Sequence, residues 1–171
     1  MSSKGIVCFS HGLESGPSGT KINALTPLAK VAGWNVVSLD YRGMSDPIER
    51  VEKLHCWCAE NDDGRLILVG SSMGAAVAAA VANRVAVEGL FLMATALNVP
   101  GYEHLNPLPL SCPATLVHGW TDEIIPYQNA LCFALECHGR FTLIDADHGM
   151  GSDLALSRLK LLFADFLSGL N

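Results

Sequence analysis

The segment Gly70-Ser71-Ser72-Met73-Gly74 contains the residue types of a nucleophile held at a sharp turn. It matches the pattern G-x-S-x-G with Ser72 at its centre, and it joins an apolar run to an alanine-rich run. A strand that passes directly into a helix would expose the Ser72 hydroxyl. Gly70 and Gly74 would allow the close backbone approaches that such a turn needs. In the alternative interpretation, Ser71 or Ser72 only caps a helix.

A serine hydroxyl is a weak nucleophile without a neighbouring base, and histidine is the usual base. His148 follows the last predicted strand and precedes the last predicted helix, at the sheet edge where open α/β folds build their sites. His104 lies in a proline-rich segment, and His118 ends a predicted strand ahead of the candidate acid. His138 ends a helix, where a cation is stabilising. We therefore predict that His148 is the base, with a surface-loop histidine as the alternative.

The base needs a carboxylate to orient it, and Asp122 is the best candidate. Asp122 lies in the loop after a predicted strand and ahead of a predicted helix, and the alternative is an aspartate that caps that helix. Asp145 and Asp147 are rivals, but they are very close to His148 in sequence. Glu123 is a weaker rival.

An acyl-transfer site also needs two hydrogen-bond donors for a developing oxyanion. One is expected to be the backbone N–H of Met73, the residue after the candidate nucleophile. The second is expected from the segment His11-Gly12-Leu13, which follows the first predicted strand. Gly12 allows the backbone to turn there, and the Leu13 N–H is the predicted donor.

The elements that must position these residues alternate between strand and helix. Because most of the strands are continuous apolar runs separated by helices, they predict an α/β three-layer sandwich, with a six-stranded mostly parallel sheet and helices on both faces. Pro27 is expected to break or kink the first helix. The predicted strands are 6–10, 35–39, 66–69, 89–94, 114–118 and 141–144, and the predicted helices are 19–31, 47–61, 73–83, 127–137 and 154–167.

Chain length and the segment 97–113 bear on domain organisation. The 171 residues predict a single domain, 1–171. Residues 97–113 contain four prolines and no regular pattern, and they are too few for a separate cap domain. Within this segment, residues 97–110, with Tyr102 and His104, are the expected wall of an acyl pocket.

Composition excludes several classes of partner. The formal net charge is −6 without a basic cluster, so no nucleic-acid partner is expected. No apolar window reaches the ~18 residues of a membrane span, and no signal peptide is evident at the N-terminus.

The six cysteines are expected to be reduced, mostly buried thiols of a cytoplasmic protein. The segment His55-Cys56-Trp57-Cys58 lacks the spacing of a metal site, so no metal is expected.

Five motifs together resemble the α/β-hydrolase superfamily. In chain order they are SHGLESGP, DYRG, GSSMG, HGWTDEIIP and DHG, which begin at residues 10, 40, 70, 118 and 147. The chain is most similar to the small lid-less bacterial serine esterases and thioesterases of that superfamily. The resemblance implies a minimal fold without a cap domain, a mechanism that uses Ser72, Asp122 and His148, and no cofactor.

The expected activity is hydrolysis of small or medium acyl esters or thioesters, with a small-molecule acyl substrate. An amidase, peptidase or perhydrolase with the same three residues is an alternative. A catalytically weak ligand-binding protein on the same fold is another alternative.

In the DYRG segment, Asp40 and Arg42 are expected to form a polar network beneath the site, although Tyr41 and Arg42 could instead touch substrate.

Overall fold

The computed structural model describes residues 3–61, 64–102, 105 and 110–170. Strands and helices alternate within them, except that the fourth and fifth strands follow one another without a described helix between them. The elements in chain order are β1 Ile6–Ser10, α1 Thr20–Val31, β2 Asn35–Leu39, α2 Pro47–Glu60, β3 Leu66–Ser71, α3 Met73–Ala82, β4 Gly89–Met93, β5 Ala114–Gly119, α4 Tyr127–Glu136, β6 Arg140–Ile144 and α5 Asp153–Ser168.

The six strands form one sheet in the order β2-β1-β3-β4-β5-β6, and every neighbouring pair is parallel. The chain runs outward from β1 to β2, returns to β3 on the other side of β1, and then adds β4, β5 and β6 in turn. The strand order therefore reverses between β1 and β3. In open parallel sheets, ligands bind outside the carboxyl ends of the strands at such a reversal.

Helices cover both faces of the sheet, so the predicted three-layer sandwich is confirmed. One apolar cluster joins the sheet to α2, α3 and α4, through residues such as Leu54, Val77 and Phe133. The other cluster joins the sheet to α1 and α5, through residues such as Leu25 and Phe163. The described residues form no separate cap domain.

Strand β3 shows how the sheet separates these two clusters. Leu68 packs into the cluster of α2, α3 and α4, whereas Ile67 and Val69 pack into the cluster of α1 and α5. All three side chains are completely buried. Burial of an aliphatic side chain of this size contributes about 1.5–3 kcal/mol relative to exposure. The centre of the sheet is therefore a rigid support for the turns at its carboxyl edge.

Local sequence signals explain where α2 begins. The Asp46 side chain accepts a hydrogen bond from the Ile48 N–H at 2.8 Å, and Pro47 is the first residue of α2.

The expected break at Pro27 is wrong, because α1 is one continuous helix. Pro27 lies on the exposed side of α1, so water can satisfy the carbonyl that loses its helical partner.

Two further expectations differ from the structure. Strand β3 extends two residues beyond the predicted end, because Gly70 pairs with both β1 and β4, and Ser71 pairs with β4. The expectation of mostly buried cysteines is wrong: Cys8 and Cys58 are buried, whereas Cys56 and Cys132 are exposed. Exposed cysteines occur because α2 and α4 each pack only one side against the sheet. None of the six cysteines forms a disulfide.

Among the described residues, no helix combines the length and the apolar character that a bilayer span requires. The same part of the chain contains no group of three or more histidine, cysteine or acidic side chains that could hold a metal ion. Within the expected pocket wall at 97–110, residues 103–104 and 106–109, and so also His104, lie outside the described residues.

Candidate active site

Ser72 occupies the turn between β3 and α3. Its backbone has φ 55° and ψ −123°, a conformation that is strained for a residue with a side chain. Its N–H donates to the Met93 carbonyl at 2.9 Å, and its carbonyl accepts from the N–H groups of Ala75 and Ala76 at 3.0 and 3.3 Å. These bonds from neighbouring elements hold the strained turn in place.

The two glycines of this turn have no room for a side chain. A Cβ at Gly70 would overlap the Cα of Ala75, and a Cβ at Gly74 would overlap the Ser10 carbonyl oxygen at the end of β1. Small residues therefore allow α3 to begin directly against β1 and β3. Helix α3 is buried along its whole length, which explains its alanine content.

His148 lies between Ser72 and Asp122. Its Nε2 is 3.0 Å from the Ser72 Oγ, and its Nδ1 is 2.8 Å from the Asp122 Oδ2. Because a carboxylate can only accept, Nδ1 carries the proton and Nε2 accepts from the Ser72 hydroxyl. The structure therefore brings together the three residues that sequence reasoning selected, from the loops after β3, β5 and β6.

The side chain of Asp122 is completely buried, and both of its oxygens accept hydrogen bonds. Its Oδ1 accepts from the N–H groups of Ile124 and Ile125 at 2.9 and 2.8 Å, and its Oδ2 accepts from His148. Burial raises the pKa of Asp122, but the hydrogen bonds from Ile125, His148 and Ile124 outweigh it, so the pKa lies below its usual value. The Asp122 side chain is therefore an ionised carboxylate at neutral pH.

His118 also contacts this carboxylate, and sequence reasoning set it aside. Its side chain is completely buried, and its Nε2 is 3.1 Å from the Asp122 Oδ2 and 2.9 Å from the Ile125 carbonyl oxygen. An N–H at Nε2 can donate only towards these two acceptors, so His118 helps to fix the position of the Asp122 carboxylate. The only signal in the sequence is the four-residue spacing between His118 and Asp122.

Lys21 supports the loop that carries His148. Its ammonium group donates to the Gly149 carbonyl at 2.8 Å and to the His148 carbonyl at 3.4 Å. Burial lowers the pKa of Lys21, and the nearby carboxylates of Asp147 and Asp122 oppose that effect. No sequence motif marked this lysine, which lies at the start of α1.

Of the two residues predicted to donate to an oxyanion, Met73 directly follows Ser72 in the chain, and Leu13 directly follows Gly12. Met73 is the first residue of α3, so its N–H has no acceptor within the helix. Gly12 packs directly against Ser72: a Cβ at Gly12 would lie 3.3 Å from the Ser72 Cβ. Leu13 follows it, and this residue is 43% exposed.

The ring of His11 is fixed beneath the loop that carries Leu13. Its Nε2 accepts from the Tyr41 N–H at 2.8 Å, so its Nδ1 carries the proton and donates to the Gly12 carbonyl at 2.7 Å. Burial lowers the pKa of His11, and the Gly12 hydrogen bond opposes it. His11 therefore acts as a neutral support of the loop.

The DYRG segment divides its residues between core and surface. Tyr41 is completely buried, so it does not face substrate. The Arg42 guanidinium binds the Asp40 carboxylate at 2.6 Å, but both side chains are exposed, which differs from the expected network beneath the site. At the end of α4, His138 has φ 54°, so its backbone serves as a left-handed helix cap.

Comparison with known proteins agrees with this architecture. A family model described as the alpha/beta hydrolase family matches residues 9–126. A protein of the alpha/beta hydrolase superfamily from Xanthomonas campestris pv. campestris is 28% identical, with a TM-score of 0.84, over 97% of this chain and 99% of that chain. No curated protein sequence matches the chain.

Two further solved structures share the fold. The alpha/beta hydrolase domain-containing protein 10 from mouse is 22% identical, with a TM-score of 0.84, over 97% of this chain and 90% of that chain. An esterase domain from a Rhodothermus marinus protein is 19% identical, with a TM-score of 0.77, over 98% of this chain and 88% of that chain. Because the family model covers more than half of the sequence, the chain belongs to the alpha/beta hydrolase family.

Proposed function

We propose that this protein is a serine hydrolase that cleaves small or medium acyl esters or thioesters through an acyl-enzyme. One observation carries the proposal: the imidazole of His148 lies 3.0 Å from the Ser72 hydroxyl and 2.8 Å from the Asp122 carboxylate. That geometry suits removal of a proton from the hydroxyl as it attacks a carbonyl carbon. Membership of the alpha/beta hydrolase family supports hydrolysis as the reaction class.

In the first half-reaction, the Ser72 Oγ attacks the substrate carbonyl while its proton moves to His148 Nε2. Asp122 keeps the imidazole in the required tautomer and stabilises the imidazolium that forms. The N–H groups of Met73 and Leu13 bind the developing oxyanion. The tetrahedral intermediate then collapses, and the departing alkoxide or thiolate takes the proton from His148.

In the second half-reaction, water replaces the departed group. His148 Nε2 accepts a proton from the water as its oxygen attacks the acyl carbon on Ser72. Collapse of the second tetrahedral intermediate releases the carboxylic acid, and His148 returns the proton to the Ser72 Oγ. The cycle uses no cofactor and regenerates the enzyme.

Two features favour esters and thioesters over amides. Alkoxides and thiolates leave more easily than amines, so esters and thioesters are the less demanding substrates for such a site. The Rhodothermus marinus relative is an esterase domain, which supports the same class. The described part of the chain forms no separate cap domain, which favours a small or medium acyl group. A panel of matched ester, thioester, amide and peroxide reactions distinguishes these classes from one another.

The test uses a fluorophosphonate probe and intact mass, because it needs no knowledge of the natural substrate. We expect the wild-type protein to gain one phosphonyl adduct and to hydrolyse a short p-nitrophenyl ester. Ser72→Ala should abolish both, whereas Ser71→Ala, the matched neighbour, should retain both. Unchanged hydrolysis by a folded Ser72→Ala variant would falsify the proposal. Absence of labelling and turnover in the wild-type protein would instead favour a ligand-binding protein on this fold.

A further inference from the structure

We propose that Arg50 is a positioning residue that holds the Gly12–Leu13 peptide as a donor to the oxyanion. The proposal rests on the serine hydrolase function, because an acyl-transfer site is what needs such a donor. Arg50 lies on α2, and its guanidinium reaches beneath the loop that follows β1. Arg50 thereby gains a role in the proposed mechanism, although no sequence motif identified this side chain.

Arg50 is an unusual residue to find in a protein core. Its side chain is among the largest that are fully buried, with 1% exposed. Within the part of the chain that the structure describes, no carboxylate forms an ion pair with it. Burial of a cation without a counter-charge costs several kcal/mol, and an apolar side chain of similar volume would avoid that cost. Packing alone therefore does not explain an arginine here.

The guanidinium is stabilised by backbone carbonyl groups. Its Nε donates to the Met44 carbonyl at 2.7 Å, and its Nη1 donates to the carbonyls of His11 and Gly12 at 3.1 and 3.3 Å. It also lies 5.2 Å from the centre of the Tyr41 ring. The planar fork of an arginine can hold several acceptors in one fixed arrangement. Here it fixes two consecutive carbonyls of the loop.

The orientation of the Gly12 carbonyl determines the direction of the next N–H. In a planar trans peptide the C=O and the N–H point in opposite directions. The Gly12 carbonyl is held by His11 Nδ1 at 2.7 Å and by Arg50, so the Leu13 N–H points away from both. Gly12 itself packs against Ser72, so the peptide that carries this N–H lies beside the proposed nucleophile.

The positive charge contributes in a second way. A cation behind the Gly12 carbonyl polarises the peptide group, which makes the Leu13 N–H a stronger donor in a site of low dielectric. The oxyanion exists only in the transition state and the tetrahedral intermediates. Loss of Arg50 should therefore lower kcat and leave KM nearly unchanged.

The experiment compares Arg50→Met with Lys53→Met. Lys53 is a matched control on the same helix: it also donates to a backbone carbonyl, that of Asp40 at 2.7 Å, and lies 5.9 Å from the Tyr41 ring centre. Lys53 thus contacts the Asp40 carbonyl and the Tyr41 ring rather than the carbonyls of His11 and Gly12. Turnover is expressed per active site titrated with a fluorophosphonate, so that unfolded protein does not count. The affinity for a boronic acid, which forms a tetrahedral adduct with the serine, is measured in parallel.

For Arg50→Met, we expect kcat to fall about tenfold to hundredfold, somewhat less than the loss of a whole oxyanion donor. Boronic acid affinity should fall by a similar factor, while KM changes less than twofold. Lys53→Met should leave all three within about twofold. If Arg50→Met does not fold, Arg50→Lys supplies the test. It retains a cation that reaches fewer carbonyls, so kcat and boronic acid affinity should fall together by a smaller factor.

Two failures can be told apart. Wild-type turnover together with unchanged kcat per active site in the folded arginine variants would overturn the role of Arg50 and leave the hydrolase intact. A loss confined to thermal stability, with kcat and boronic acid affinity unaltered, would do the same. If the wild-type protein neither labels nor turns over, the proposed function itself fails.

Discussion

At the level of single residues, the Asp122 carboxylate has more hydrogen-bond donors around it than orientation of one imidazole requires. Ile124, Ile125 and His148 donate to it, and His118 Nε2 lies 3.1 Å from the same oxygen that His148 binds. A carboxylate with both oxygens engaged cannot rotate, so the imidazole that it binds is also fixed. Asp122 thus joins the end of β5, the loop that follows it and the His148 imidazole into one polar cluster.

Asp122→Asn should destabilise the protein at neutral pH, and the difference from wild type should shrink as the pH falls. The pKa of Asp122 lies below its usual value of 3.8, so the carboxylate contributes stability above about pH 4. That contribution is lost as the pH falls from 3.8 through the lower folded value. The asparagine amide lacks the charge and meets two histidine donors with its NH₂ group. Urea unfolding between pH 3 and pH 7 measures the effect.

A constant difference in the free energy of unfolding across that pH range would contradict this expectation. Glu123→Gln is the matched control, since it removes a carboxylate from the adjacent exposed position. We expect its unfolding curves to follow those of the wild type within about 0.5 kcal/mol at every pH.

Residue types in the correct chain order were enough to select Ser72, Asp122 and His148 from the sequence. Each follows a predicted strand, and parallel strands bring such positions to one edge. His118 could not be selected, because its contact with Asp122 depends on how residues 119–126 fold back over the end of β5. Sequence spacing does not specify that path.

At the level of elements, the site is held from both faces of the sheet. Lys21 at the start of α1 binds the carbonyls of the loop after β6, and Arg50 on α2 binds those of the loop after β1. Helices α1 and α2 pack on opposite faces. Such contacts join elements distant in the chain, so the helices could be predicted from the sequence but these two side chains could not.

Lys21→Met should lower kcat about tenfold or more, because its ammonium group fixes the backbone that carries the His148 imidazole. Small displacements of a base away from its nucleophile reduce the rate by such factors. Lys30→Met is the matched control, at the exposed opposite end of the same helix. We expect it to retain wild-type turnover. Equal kcat per titrated active site in the two variants would show that turnover does not depend on the contact between Lys21 and the loop that carries His148.

At the level of the whole molecule, the strand reversal between β1 and β3 puts the His11–Leu13 loop beside the Ser72 turn. Both follow interior strands of a sheet that helices cover on each face, so the site rests on fully packed strands. Apolar runs predicted all six strands and five helices within two residues. They missed the last residues of β3, where Gly70 and Ser71 continue the pairing although neither has a strand-forming side chain.

The attachment of α5 to the centre of the sheet can be tested at Phe163. This residue is completely buried and its ring centroid lies 5.0 Å from that of Phe91 in β4 and 6.3 Å from that of Phe9 in β1. Phe163→Ala should lower the free energy of unfolding by about 3–5 kcal/mol, because it removes these contacts and leaves a cavity. Leu161→Ala, on the exposed side of α5, should change it by less than about 0.5 kcal/mol. Urea melts measure both variants, and equal midpoints would refute the assignment of α5 to the core.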